Sequence, residues 1–252
     1  MQETFNFGYF IPISTVDWHG RSASVLFFSG CQFRCPYCQN HAYLYPGNEM
    51  KIMEIESQIE KAALYISAVV FSGGEPTQQP DALKIIARFV KSKSLLVGLQ
   101  TNGFGYNVIK DMLEENILDK LFMDIKAPLD DPVRYSKVIG SDIQYGIKAV
   151  DNIIRSLNTG LASGIEVEVR TTVFRRLAGM EEVHDIGSYL DGLATRNLTY
   201  VIQQGIPENT LNMKDILIFN REELLDMARS IQGKSLKKIW LRTKENGDEM
   251  IL

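Results

Sequence analysis

The chain has 252 residues, of which 45% are hydrophobic and 23% are charged, and its formal net charge is −4. These proportions are typical of a globular protein with a sizeable buried core. They argue against a membrane protein, because no apolar run is long enough to span a bilayer, and against a nucleic-acid partner, because the net charge is negative. The first residues show no signal-peptide pattern, so we expect a cytoplasmic protein.

Segments rich in β-branched and aromatic residues alternate with amphipathic segments along most of the chain. The first kind predicts strands at 22–28, 68–72, 94–100, 119–125, 165–173 and 198–204, with a weaker seventh at 237–242. The second kind has apolar residues three and four positions apart and predicts helices that include 54–66, 80–91, 143–157 and 221–231.

This alternation predicts an α/β fold, specifically a partial (β/α)6-type TIM-like barrel with parallel strands. No internal repeat, low-complexity tract or long linker divides the sequence. We therefore expect one domain over residues 1–252, with its core at about 20–205 and a C-terminal extension at 206–252.

Each of the first six predicted strands ends in a polar or glycine-rich turn. In chain order these turns are the cysteine loop, SGGEP at 72–76, QTNG at 100–103, MDIKAP at 123–128, VRTT at 169–172 and QQ at 203–204. In a parallel barrel the carboxyl ends of all strands lie at one end, so the six turns should converge on one cleft.

All three cysteines lie in the segment CQFRCPYC, at Cys31, Cys35 and Cys38. An odd, clustered set cannot form a disulfide framework and indicates metal or redox chemistry in a reducing compartment. Pro36 disfavours a helix here, because its ring pushes Cys35 towards an extended backbone, so we expect a wrapped loop.

Three thiolates in one loop suit a 4Fe–4S cluster whose fourth iron is free to bind a substrate or cofactor. A tetrahedral zinc site completed by His41 is an alternative. A third interpretation is a set of buried structural thiols without metal, but the neighbouring Gln32, Arg34 and Gln39 make this loop too polar for a core.

The segment CQFRCPYC resembles the cluster-binding motif of radical S-adenosylmethionine (SAM) enzymes, including an aromatic residue, Tyr37, before the last cysteine. GGEP at 73–76 is similar to the segment of that superfamily that binds the methionine end of SAM. Within the superfamily the chain most resembles activating proteins of glycyl-radical enzymes, in particular that of anaerobic ribonucleoside-triphosphate reductase. The segments at 13–40, 99–103, 122–128 and 169–173 carry this resemblance, and the ending LRTKENGDEMIL is similar to archaeal-type members.

The resemblance implies that the three cysteines bind the cluster and serve the catalysis. It implies cofactor contacts from Tyr37, Gly73, Gly74, Glu75, Pro76, Thr101, Asn102, Asp124, Lys126 and Arg170. Activating proteins often have an Asp that helps bind a cation where this chain has Gln100, so the resemblance does not extend to a cation site.

The residue types of the GGEP and TNG turns suit this role. Gly73 and Gly74 allow a backbone to approach a ligand closely, and Glu75 can accept a hydrogen bond from the ammonium group of SAM. Thr101 and Asn102 can also hydrogen-bond the cofactor. The alternative is purely structural: a strand-to-helix turn with proline at the helix start, followed by an ordinary TNG turn.

Three charged residues of later strands have similar alternatives. Asp124 and Lys126 alternate along a strand, so both can face the barrel interior, where they must bind a ligand or pair with each other. Arg170 can contact the SAM carboxylate or ribose, or instead form a salt bridge to Glu166 or Glu168.

By this resemblance the protein would cleave SAM reductively to a 5′-deoxyadenosyl radical, which would take a hydrogen atom from a glycine Cα of anaerobic ribonucleotide reductase. No cysteines remain for a second cluster, so the electron must come from an external donor such as a flavodoxin, ferredoxin or thioredoxin-type protein. The three histidines show no Ser/His/Asp pattern. Two rival functions are a radical SAM enzyme acting on a small molecule, similar to carboxy-deazaguanine synthase, and a zinc-stabilised binding protein without catalysis.

Overall fold

A computed structural model describes residues 3–193, 195–212, 217–231 and 235–251. In these residues ten strands form one sheet: β1 Thr4–Ser14, β2 Ala23–Phe28, β3 Asn48–Lys51, β4 Ala68–Gly73, β5 Leu96–Thr101, β6 Lys120–Asp124, β7 Glu166–Val173, β8 Leu198–Gln204, β9 Ile239–Thr243 and β10 Gly247–Met250. The helices are α1 Ile52–Ala62, α2 Pro80–Ser92, α3 Tyr106–Glu114, α4 Pro132–Val138, α5 Ile143–Ser163, α6 Met180–Leu193 and α7 Arg221–Ser230. None of them combines the length and the apolar character that a membrane span requires.

The sheet is open, with the order β10-β9-β8-β7-β6-β5-β4-β2-β1-β3. Its seven central strands, β2 and β4 to β9, run parallel to one another. These are the seven strands that the sequence predicts, so the parallel α/β fold is confirmed. Helices between consecutive strands supply the crossovers that parallel pairing needs.

Three antiparallel strands at the edges were not predicted from the sequence. β1 pairs with β2 and β3, and β10 pairs with β9. β1 contains Gly8 and Pro12, which are rare in strand interiors, and its register with β2 shifts twice. β3 and β10 are four-residue, mostly polar strands, too short to produce a hydrophobic alternation.

Local residues set the end of one helix and the start of another. α5 runs six residues past its predicted end and stops at Gly164, which adopts a left-handed φ of 82°. α7 begins with a capping box, in which Asn220 and Glu223 each accept a hydrogen bond from the other's backbone N–H. α1 ends at Ala62 rather than at 66.

The two faces of the sheet carry different cores. Buried residues from all seven helices join one cluster with sheet residues such as Leu26 and Phe71. On the other face Trp18, from the β1–β2 loop, packs edge-on against Phe122 with ring centroids 5.5 Å apart. A Cβ at Gly98 would lie 2.9 Å from both rings, so glycine is needed beneath Trp18.

A buried charge cluster lies on this same face. Glu168 is 4% exposed, and its carboxylate is contacted by Arg170 Nε at 2.8 Å, Lys120 Nζ at 3.0 Å and Arg242 Nη2 at 3.4 Å. Burial acts to raise the pKa of Glu168, but the charges of Arg170, Lys120 and Arg242 outweigh it and lower the pKa to about 2.

We expect this cluster to make folding sensitive to acid. Because the folded pKa lies below the ordinary value of 4.5, ionised Glu168 stabilises the fold above about pH 4.5 and that contribution disappears as the pH falls towards 2. The shift corresponds to about 3 kcal/mol. Urea unfolding of the wild type and of Glu168→Gln between pH 7 and 3 measures it. The wild type should lose stability more steeply below pH 4.5, and parallel curves would contradict the assignment.

Candidate functional site

The cysteine loop follows β2 and is held by backbone hydrogen bonds to distant segments. Cys31 N donates to Leu44 O at 3.1 Å, and Arg34 N donates to Ile139 O at 2.8 Å. Cys38 N donates to Cys35 O at 3.0 Å, which closes a turn around Pro36. The loop is therefore wrapped and non-helical, as its proline predicts.

The GGEP turn packs backbone to backbone against this loop. Gly74 N donates to Phe28 O and Glu75 N donates to Gly30 O, both at 2.8 Å. Gly73 has a φ of 116°, and a Cβ there would lie 2.3 Å from Phe28 O. A Cβ at Gly74 would lie 2.3 Å from Gly30 O. Both glycines are thus required by the contact between the two motifs, a reason that sequence reasoning did not supply.

Glu75 joins the GGEP turn to the TNG turn. It is 1% exposed. Its Oε1 accepts from Thr77 N at 3.1 Å, Thr77 Oγ1 at 2.6 Å and Thr101 Oγ1 at 2.8 Å, and its Oε2 accepts from Asn102 N at 2.8 Å. Burial raises the pKa of Glu75 although these hydrogen bonds act to lower it. Pro76 is buried and begins the short 3-10 helix that Glu75 caps, so the structural alternative for this turn holds as well.

Asp124 and Lys126 lie at the end of β6 and form the ion pair that their alternation suggested, with Nζ 3.3 Å from Oδ2. Lys126 Nζ also lies 5.8 Å from the ring centroid of Tyr37, which is buried in the cysteine loop. Burial acts to lower the pKa of Lys126, but Tyr37, Asp124 and Cys35 raise it well above the ordinary value. Lys126 is therefore a fixed cation beside the thiols.

Arg170 has the structural partner that was one of its alternatives, since its Nε donates to Glu168 Oε1 at 2.8 Å. Its guanidinium carbon lies 4.5 Å from the centroid of the Phe122 ring. Arg170 also lines the site cavity, and its buried Nη2 has no hydrogen-bond partner among the described residues. The guanidinium therefore retains donor capacity for a ligand.

These side chains converge on one cavity of about 230 Å³ at the carboxyl end of the parallel strands. Every predicted site residue except Pro76 lines it: Cys31, Cys35, Cys38, Tyr37, Gly73, Gly74, Glu75, Thr101, Asn102, Asp124, Lys126 and Arg170. The convergence of the strand-end turns is thus observed. Of the QQ pair, Gln203 lines the cavity, whereas Gln204 bonds Phe219 O and Lys244 N, because successive strand residues face opposite sides.

Sequence reasoning missed several lining residues. Asn40 Nδ2 donates to Gly73 O at 3.1 Å, and Phe174 packs against Tyr37 with ring centroids 5.4 Å apart. Ile206 lines the cavity, and its carbonyl accepts a hydrogen bond from Gln39 Nε2 at 3.2 Å. Asn40 adjoins the cysteine motif and could have been found there. Phe174 and Ile206 carry no sequence signal.

The thiols lie in a poorly solvated environment. Burial raises the pKa of Cys31 to about 12 and that of Cys35 to about 11, and it raises the pKa of Cys38 too, while the charge of Lys126 opposes each shift. Iron ligation requires thiolates, so binding a cluster here would release protons. Asn102 Nδ2 lies 3.9 Å from Cys31 Sγ and can donate to that sulfur.

Comparison with known proteins identifies the family. The sequence profile of the Radical SAM superfamily matches residues 25–188, which is more than half of the chain and includes the cysteine loop and four of the other strand-end turns. The chain belongs to the radical SAM superfamily. It is therefore a radical SAM enzyme, and the cofactors of this superfamily are a 4Fe–4S cluster and SAM.

The relatives of this radical SAM enzyme confirm the resemblance to activating proteins. It is 28% identical over 236 residues to a Methanocaldococcus jannaschii protein named as a glycyl-radical enzyme activating enzyme, which covers 92% of this chain and 94% of that one. It is 25% identical over 229 residues to the pyruvate formate-lyase-activating enzyme of Clostridium pasteurianum, with 88% and 90% coverage. A solved radical SAM methyltransferase from Sphaerobacter thermophilus shares the fold, with a TM-score of 0.70 at 15% identity over 89% of this chain and 67% of that one.

The residues of the cavity fit the two radical SAM cofactors. Three thiols from one loop are the donor set for a cluster with one open iron. The unpartnered Nη2 of Arg170 and the fixed cation of Lys126 suit a ligand with oxygen acceptors. The zinc alternative required His41, but His41 does not line the cavity, and its Nε2 lies 3.0 Å from Asn209 Oδ1.

Proposed function

We propose that this radical SAM enzyme is an activase that generates a glycyl radical on a partner enzyme. The two relatives named as activating enzymes align with nearly the whole chain, which is the observation that carries the proposal. When bound, the cluster and SAM supply the reductive cleavage that yields the 5′-deoxyadenosyl radical. The residues of this chain bind and orient these cofactors.

Three of the strand-end turns have separate tasks in this proposal. Cys31, Cys35 and Cys38 hold the cluster and leave one iron open. Among the residues that the structure describes, Glu75 Oε2 accepts one hydrogen bond, from Asn102 N, so it retains capacity for the ammonium group of SAM. Lys126, which Asp124 holds in place, lies beside the thiols.

Three further cavity residues contact SAM in this proposal. Tyr37, Asn102 and Arg170 also line the pocket. The ring of Tyr37 packs against the cofactor, and Asn102 and Arg170 donate hydrogen bonds to its oxygen and nitrogen acceptors.

The partner and the electron donor are finer parts of the proposal. The resemblance of the sequence segments at 13–40 and 122–128 supports anaerobic ribonucleoside-triphosphate reductase as the partner. The three cysteines serve one cluster, which supports an external donor such as a flavodoxin or ferredoxin, and a reducing cytoplasm as the site of action.

The function is tested by anaerobic reconstitution in two stages. The first stage should give about four irons per chain and formation of 5′-deoxyadenosine from SAM with dithionite. The second adds purified anaerobic ribonucleotide reductase, in which electron paramagnetic resonance should show a glycyl radical. A reductase variant with alanine at the radical glycine is the control and should show none.

The rival small-molecule function gives a different result in the same assay. For an enzyme similar to carboxy-deazaguanine synthase, its small-molecule substrate would stimulate cleavage of SAM and the reductase would not. Cleavage without a glycyl radical on any glycyl-radical enzyme would contradict the activase proposal while leaving the radical SAM chemistry intact.

A further inference from the structure

Glu168 lies on the face of the sheet that carries Trp18, where it lines a cavity distinct from the cofactor cavity. Along β7, Glu168 and Arg170 share this face because side chains two positions apart point the same way. Arg170 lines the cofactor cavity. Glu168 lines a second cavity, of about 630 Å³, near the amino ends of the parallel strands. A hydrogen bond from Arg170 Nε to Glu168 Oε1, 2.8 Å long, therefore links a residue of the cofactor cavity to a residue of the second cavity.

Arg170 is fixed on two sides and free on a third. Glu168 binds its Nε, and the Phe122 ring lies under the guanidinium at 4.5 Å. Nη2 has no partner among the described residues. A guanidinium held in this way presents its remaining N–H groups in a defined direction, because the group is planar and rigid.

The C-terminal hairpin of β9 and β10 holds Glu168 from the opposite side. Arg242 of β9 places Nη2 3.4 Å from Glu168 Oε1. Asp248 of β10 holds Arg242 by accepting two hydrogen bonds, from Nε at 2.6 Å and from Nη2 at 3.0 Å. Lys120 Nζ forms an ion pair with the other carboxylate oxygen of Glu168, Oε2, at 3.0 Å. Both oxygens of Glu168 are therefore engaged, so its carboxylate has little freedom to rotate.

We propose that Glu168 is a positioning residue that orients Arg170 towards an oxygen acceptor of SAM. Arg242 and Asp248 of the C-terminal hairpin in turn hold Glu168, and these four residues are called the clamp. The proposal rests on the proposed function only in assigning SAM to Arg170. It gives the C-terminal hairpin a role in the site, although that hairpin contributes no residue to the cofactor cavity. The sequence offered no sign of this role, because residue 168 and residue 242 are 74 positions apart.

The test is a double-mutant cycle on SAM affinity. Glu168→Gln keeps the shape of the side chain and removes its charge. In the reconstituted enzyme we expect the dissociation constant for SAM, from equilibrium dialysis, to rise about tenfold in Glu168→Gln and in Arg170→Gln alike. Because Glu168 acts through Arg170, the double variant should be no weaker than Arg170→Gln alone. The apparent KM for SAM should rise more than kcat falls.

Matched variants separate positioning from stability. Glu166→Gln, on the same strand, removes the ion pair between Glu166 Oε2 and Lys120 Nζ, which are 3.5 Å apart. Because the Glu166 side chain is 70% exposed, this substitution should leave SAM affinity unchanged. Asp248→Asn should weaken SAM binding about threefold by loosening Arg242. If Glu168→Gln fails to fold, Asp248→Asn combined with Arg170→Gln gives the same cycle.

Two results would overturn the clamp. One is a Glu168→Gln enzyme with reduced stability but wild-type SAM affinity, and the other is additive losses in the double variant. These measurements need no partner enzyme, so failure of the clamp is distinguishable from failure to form a glycyl radical.

Discussion

Alanine in place of Gly74 is expected to abolish cluster binding. A Cβ at this position would lie 2.3 Å from Gly30 O and 2.6 Å from Tyr43 O. Both contacts are backbone atoms, and both carbonyls already accept hydrogen bonds, Gly30 O from Glu75 N and Tyr43 O from Gly30 N, each at 2.8 Å. Neither can move away without breaking the connection between the GGEP turn and the cysteine loop. We expect the free energy of unfolding to fall by about 3 kcal/mol or more.

Urea unfolding of the protein without cluster and iron content after reconstitution measure the two parts of this effect. Gly192→Ala, in α6, is the matched control, because a Cβ there meets nothing within 4 Å. Alanine should change stability by less than about 1 kcal/mol at that position, in the stabilising direction. A Gly74→Ala protein with normal stability and full iron content would show that the close packing of the two motifs is not required.

The candidate site was predictable from the sequence only in part. The convergence of the cysteines, GGEP and TNG on one cavity was predicted from their strand-end positions, which are local properties, whereas their cofactor roles come from the resemblance to radical SAM enzymes. The physical reason for the glycines was not, because it depends on Gly30 and Tyr43, which are distant in the chain. For Arg170 the sequence left two alternatives, and the structure shows that its salt bridge to Glu168 and its place in the cavity are compatible.

The fold was predictable to a similar limit. Most of the seven parallel strands are apolar and contain β-branched or aromatic residues, so pattern alone finds them. β1 and the short β3 and β10 gain their pairing from neighbours brought close by the rest of the fold. The contribution of β9 and β10 to the charge cluster on Glu168 depends on that pairing and could not be read from the sequence.

Glutamine in place of Glu75 is expected to separate the GGEP and TNG turns. Among the described residues this carboxylate accepts four hydrogen bonds, and two of the donor groups belong to the TNG turn. A glutamine must place its NH2 group where one carboxylate oxygen now accepts, so at least one pair of donors would face each other in a buried site. The remaining bonds would lose the strengthening that the charge provides. We expect a loss of about 2–4 kcal/mol in the free energy of unfolding.

The same substitution should weaken SAM binding by tenfold or more, because it removes the charge proposed to bind the SAM ammonium and displaces Asn102. Calorimetric SAM titration and urea unfolding distinguish these two effects. Glu114→Gln is the matched control. Its side chain is 64% exposed, and in the described part of the chain it forms one ion pair, with Lys110 at i,i+4 and 3.6 Å, so the substitution should cost about 0.5 kcal/mol or less. If Glu75→Gln lost stability but kept its SAM affinity, Glu75 would be a purely structural link between the two turns. Loss of both would mean that one carboxylate organises the turns and supports SAM binding, since among the described residues its Oε2 accepts a single hydrogen bond.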